Sequence, residues 1–174
     1  MAAMFAYIVG SPFVLQTSGV SPQGFSFFFA LNSVGIILAS QISGRLAERV
    51  GETKLLVFGL SVASIAGLIL FLVVFFGGGL VAIVIPLFFV VSSVGIVSTA
   101  SFTFAMEKQA KSAGSASAIL GALQFVLGAT ISPIVGLGGS HSDLSMGAVI
   151  VIEDVGVILC YVLLVHLPSR TKKL

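Results

Sequence analysis

The sequence has 174 residues, of which 57% are hydrophobic and a further 20 are glycine, with eight Lys and Arg against six Asp and Glu and a net charge of +2. Charged residues make up only 8% of the chain, against roughly 25% in soluble domains, too few to cover a water-facing surface, so a soluble globular protein is excluded. A disordered chain and a basic nucleic-acid binder fall with it, the first because apolar content is high and the second for want of a phosphate-binding stripe; an integral membrane protein remains.

In chain order, the first apolar segment, 1–15, covers ~22 Å at 1.5 Å per residue, short of a ~30 Å hydrocarbon core. It has no basic leader and no small-residue cleavage site, which argues against a signal peptide, and the chain is expected to begin inside a full helix, the alternative being a first helix that is tilted and short. Gln16 to Gln23 interrupts the run, with Ser21 in N-cap and Pro22 in first-turn position. The second segment, 22–44, places Asn32, Gly35, Ala39 and Ser43 within about 80° at 100° per residue, a stripe for close helix contact. Asn32 is also a candidate for lining a cavity. After a polar connection with Arg45, Arg49 and Lys54, the third segment, 55–76, runs to Gly77-Gly78-Gly79.

The fourth segment, 80–104, carries Ser98, Thr99, Ser101 and Thr103. These either line an aqueous path or, the commoner case, donate to their own helix's carbonyls. Lys108 and Lys111 lead to the fifth segment, 114–137, where Gly114, Ser117, Gly121, Gln124, Gly128 and Ser132 share a face of about 80°. Packing explains the glycines, whereas Gln124 is a mid-depth amide that needs partners and serves either cavity lining or helix–helix hydrogen bonding. Gly138 to Asp143 closes it, and the sixth segment, 146–167, precedes a basic tail, 168–174. Pro12, Pro86 and Pro133 lie inside segments and are expected to kink them. Strands of a membrane barrel would be about ten residues long and strictly alternating, so the class is an all-α membrane protein of six spans.

All eight basic residues fall in alternate connections or the tail, which places those on the cytoplasmic side. Glu153 and Asp154 are the acids well inside a span, with Glu153 ~10 Å below the outer edge when counted from Met146. An acid at mid-span costs about 2.5–3.5 kcal/mol and marks a candidate proton carrier. The lone Cys160 supports neither a disulfide framework nor a metal site, and no glycine-rich run is followed by Lys-Ser or Lys-Thr, so ATP-driven pumping by this chain is excluded. An intramembrane serine protease needs a Gly-x-Ser-Gly turn beside a His. Gly114-Ser115-Ala116-Ser117 lacks the closing Gly, His166 sits at the far end of the last helix, and Ser140, His141 and Asp143 crowd one turn, so the chain is read as no enzyme.

Two blocks of sequence carry a family resemblance. One is Tyr7-Ile8-Val9-Gly10-Ser11-Pro12-Phe13-Val14-Leu15-Gln16, then Ser21-Pro22-Gln23, Phe29-Ala30-Leu31-Asn32 and Ser40-Gln41-Ile42; the other is Ala113-Gly114-Ser115-Ala116-Ser117-Ala118 with Leu120-Gly121-Ala122-Leu123-Gln124-Phe125 and Ser132-Pro133. Together they resemble the C-terminal half of a major facilitator superfamily transporter, most closely a multidrug:proton antiporter of the Bcr/CflA type. The resemblance implies a six-helix half of the facilitator fold, helices seven to twelve, with the first truncated. It further implies part of a proton-coupled efflux transporter, expelling small hydrophobic or cationic drug-like compounds across the bacterial cytoplasmic membrane, with the proton gradient and no bound cofactor. Its partners would be the lipid bilayer and a missing N-terminal six-helix half, without which the chain is expected to be inactive; a non-transporting membrane fragment is the alternative. Gly44-Arg45-Leu46-Ala47-Glu48-Arg49-Val50-Gly51 resembles the superfamily's loop signature, with Glu48 where Asp is commoner and Glu52 and Thr53 where basic residues follow. Gly44, Arg45, Leu46, Glu48, Arg49 and Gly51 are accordingly read as a gating loop, in which Gly44 lets two helices approach and the acid accepts from an Arg or a helix N-terminus.

Overall fold

In the computed structural model, which describes residues 2–17, 21–106, 112–136 and 142–161, every described element is an α-helix: α1 (Ala2–Thr17), α2 (Pro22–Val50), α3 (Glu52–Phe75), α4 (Leu80–Met106), α5 (Ala113–Gly136) and α6 (Ser142–Tyr161). A helix is what a long apolar segment must become in lipid, because it satisfies every backbone group within the segment. Helices α2 to α5 are long and apolar enough to cross a bilayer, and α1, with 16 residues, is shorter than the other five. Local chemistry sets the ends. The Ser21 hydroxyl accepts from the Gly24 N–H at 3.2 Å, with Pro22 in the first turn. At the end of α3, Gly77 takes φ +67° and the Gly77 and Gly78 N–H groups donate back to Val74 and Val73.

Two boundaries differ most from those read in the sequence. The stretch from Gly44 to Val50 is not a loop: α2 continues through it and only Gly51 separates α2 from α3. Leu46, Ala47, Glu48 and Arg49 are good helix formers, and charge ends the apolar stretch without ending the helix. Similarly, α6 begins at Ser142, four residues ahead of the predicted start. The predicted tail, 168–174, lies outside the described residues, as do Lys108, Lys111, Ser140, His141 and His166.

Helices α1, α4, α3 and α6 pack in a closed ring, each against the next, while α2 lies on α4 and α5 lies on α1. The core fills the ring: Ala6 and Tyr7 from α1, Leu70 from α3, Leu87, Val90 and Val91 from α4, and Ile150 from α6 are all buried. A second cluster, Leu55, Leu56, Leu60 and Ala100, joins α3 to α4 near their charged ends. Lipid tails are as apolar as leucine, so contact between helices rests on close van der Waals packing. The α2–α4 seam shows it. A Cβ on Gly95 would lie 2.7 Å from the Ile36 carbonyl oxygen of α2, so only glycine permits that approach. The outer helices are different: 11% of the most apolar stretch of α2 and 6% of that of α5 is buried, against 39% for α3 and α4.

Candidate functional site

Glu153 and Asp154 sit at the seam between α6 and α3. From Ser142, Glu153 lies ~16 Å along the axis at 1.5 Å per residue, near the middle of the helix. Both are half-buried. The position a Cβ would take on Gly67 of α3 is occupied by Asp154 Oδ2 at 2.5 Å and the Ile150 side chain at 3.2 Å, so the glycine makes room for the carboxylate. Asp154 Oδ2 is buried and accepts no hydrogen bond from a described residue. A carboxylate oxygen without a donor beside a wholly buried isoleucine is an expensive arrangement, which marks the acid as a functional candidate. Neither acid lines the grooves that run along α2. Among the described residues no group of three or more His, Cys, Asp or Glu is placed to hold a metal.

A second polar feature joins α1 to α2. Asn32 is 3% exposed and its Nδ2 donates to the Tyr7 hydroxyl oxygen at 2.9 Å, while the Tyr7 ring stacks on Phe29 with centroids 5.4 Å apart. Asn32 Oδ1 and the Ser11 hydroxyl are buried without a partner among the described residues. Tyr7 and Ser11 are one turn apart on α1, so both face this seam. In this conformation Asn32 therefore bonds helix to helix. Neither Tyr7 nor Ser11 stands out as a site residue in the sequence; the signal available was their i, i+4 spacing as polar groups in an apolar segment.

At the end of α2, Arg45, Glu48 and Arg49 are exposed, on a shallow depression of about 710 Å³. No ion pair joins them to a described residue. A Cβ on Gly44 meets nothing within 4 Å, so the close approach expected there is absent; it occurs instead at Gly67 and Gly95. Gly51 has φ +87° and ψ 143° and its N–H donates to the Ala47 carbonyl at 3.0 Å. Side chains other than glycine rarely adopt that backbone, which accounts for this residue in a one-residue connection. Leu46 is exposed beside the depression.

Gln124 is half-buried on α5, one residue from the exposed Phe125. Of the glycines on its face, Gly128 is the close contact, where a Cβ would overlap the Phe5 ring of α1, and Gly114 and Gly121 face open space. Packing thus explains one of the three. Each proline-bearing helix runs on through its proline, with Pro12 half-buried, Pro86 buried and Pro133 exposed. Thr99 and Thr103 donate to the Gly95 and Thr99 carbonyls at 2.8 and 3.0 Å, the usual fate of hydroxyls on an apolar helix.

Comparison with known proteins adds a family. A model of the Major Facilitator Superfamily matches residues 1–133. Over 152 residues the chain is 42% identical to the uncharacterized MFS-type transporter YdgK of Bacillus subtilis, covering 87% of this chain and 38% of that protein. Over 133 residues it is 28% identical to a bicyclomycin resistance protein homolog of Haemophilus influenzae, covering 76% of this chain and 33% of that protein. The match therefore spans between a third and two-fifths of the length of these relatives. No solved structure matches the chain.

Proposed function

The chain belongs to the major facilitator superfamily, a family of multi-pass membrane transporters rather than enzymes, and on that premise we propose that it forms the C-terminal half of a proton-coupled efflux transporter for small organic compounds, of the Bcr/CflA type. The observation that carries this reading is the pairing of a six-helix module with a match to little more than a third of a transporter-sized relative. Facilitator sites lie at the interface of two six-helix halves, so this half is inactive alone and works against an N-terminal half. The large unburied faces of α2 and α5 suit such an arrangement. A relative named for bicyclomycin resistance supports a drug-like hydrophobic or cationic substrate.

In this reading the basic connections and the tail face the cytoplasm of a bacterial cell and the six helices form one bundle from 1 to 167. The helical arm from Gly44 to Gly51 is the gate, with Glu48 exposed to accept from an Arg or a helix N-terminus of the other half. Gln124 and, once α1 parts from α2, Asn32 line the substrate path. Pro12, Pro86 and Pro133 give their helices the bends that rocking requires. Glu153 and Asp154 carry the proton, so the gradient drives transport without a bound cofactor. Drug accumulation in cells carrying this half, a matching N-terminal half, or both decides the matter. Efflux should appear only with both; full efflux from this half alone would overturn the proposal, and none in any combination would favour a non-transporting fragment.

A further inference from the structure

A groove of about 350 Å³ runs between α2, α3 and α4, walled by Leu38 and Ile42, by Leu55 and Phe58, and by Phe89 and Ile96. Leu38, Ile42, Phe58 and Phe89 are each more than half exposed, so the groove opens away from the core. Toward the charged ends of α2 and α3 it continues, through Ile42 and Leu46, into the depression that carries Arg45, Arg49 and Glu48. Pro22 to Gly44 measures ~34 Å as a helix, close to the ~30 Å of a hydrocarbon core, so the arginines stand at headgroup level when α2 spans the bilayer.

Two serines distinguish this groove from an ordinary lipid-facing surface. Ser43, 1% exposed, and Ser92 both line it, and both hydroxyls are buried without a partner among the described residues. Other hydroxyls on the same helices donate to their own carbonyls, as Ser33 and Thr99 do. A free hydroxyl at Ser43, two residues before Arg45, lies where a phospholipid's glycerol esters meet its headgroup.

We propose that this groove is a binding site for an anionic phospholipid, one acyl chain lying between α2, α3 and α4, an ester carbonyl accepting from Ser43, and the phosphate held by Arg45 and Arg49. Guanidinium forks match phosphate oxygens. Two arginines against Glu48 leave one positive charge at the mouth, which favours a lipid with net negative charge over a zwitterionic one. The site rests on membrane insertion and not on the substrate or direction of transport.

The absence of tryptophan from the sequence permits a direct test. The full chain carrying Phe58→Trp is reconstituted in vesicles of phosphatidylcholine containing phosphatidylglycerol, with bromine on the acyl chains of one lipid at a time. Phe125→Trp, on α5, 70% exposed and outside the groove, is the reference. Brominated phosphatidylglycerol should be enriched about fivefold at Phe58→Trp, as one surface charge near an anionic lipid gives, and at parity at Phe125→Trp. Adding Arg45→Gln with Arg49→Gln should restore parity at Phe58→Trp. Equal quenching at the two positions, or selectivity that survives loss of both arginines, overturns the proposal. So does an indole that neither lipid quenches, since a second copy or another protein would then cover the groove. Should Phe58→Trp fail to fold, Phe89→Trp on the opposite wall is read in the same way.

Discussion

Tyr7 and Asn32 hold each other across the α1–α2 seam, and their bond is the buried side-chain link between those helices among the described residues. Interhelical hydrogen bonds in membranes contribute about 0.6 to 2 kcal/mol. Tyr7→Phe keeps the ring on Phe29 and removes the acceptor, so it should lower unfolding free energy by about 1 kcal/mol, measured by denaturant titration in bicelles; an unchanged midpoint would show the amide re-bonding elsewhere. The acids on α6 are the proposed proton carriers. Glu153→Gln and Asp154→Asn, tested separately in the reconstituted transporter, should differ: the Asp154 variant, whose carboxylate reaches Gly67 of α3, is expected to lose drug-dependent proton movement. If both variants keep wild-type coupling around neutral pH, neither acid carries the proton. The pair was legible in the sequence as two charges in an apolar run, but which acid meets which helix was not, because adjacent residues point about 100° apart and only a neighbour's position distinguishes them.

Between elements, Gly51 converts two helices into a rigid elbow. Its backbone at φ +87° and ψ 143° lies where side chains cost about 1–3 kcal/mol, so Gly51→Ala should destabilise the chain by that order, read in the same unfolding assay. A Gly44→Ala variant serves as the control: Gly44 is within α2, in open space, with no positive φ, and the substitution should be neutral or slightly stabilising. Equal effects would mean that α2 ends before Gly51. The helical form of this segment also alters its mechanics. Arg45, Glu48 and Arg49 ride on a continuous 29-residue helix and move with α2, whereas a loop would let them move independently of it.

With all eight basic residues falling between alternate apolar segments or in the tail, Thr53 should face the cytoplasm and Thr17 the exterior. Single cysteines introduced as Thr17→Cys and Thr53→Cys in a Cys160→Ser background can be tested with an impermeant thiol reagent on intact cells. The first should label and the second should not; the reverse pattern inverts the topology. Helices α2 and α5 hang on opposite parts of the α1–α4–α3–α6 ring, each with few buried residues along its most apolar stretch, the surface that the proposed N-terminal half would cover.

Composition and the spacing of breakers were enough to establish an all-α membrane protein of six helices, because each helix in lipid must satisfy its own backbone and is therefore encoded locally. The stripe Asn32, Gly35 and Ser43, buried on α2, was readable for the same reason, since helical periodicity puts those residues on one face whatever they touch. What they touch was decided by tertiary structure alone. The sequence marks Gly44, Gly67, Gly95, Gly114 and Gly121 alike as small, yet Gly67 and Gly95 take a neighbouring helix and Gly44, Gly114 and Gly121 face open space. The difference arises from which helices become neighbours. In lipid that choice rests on many weak van der Waals contacts between segments distant in sequence, and no local pattern records it.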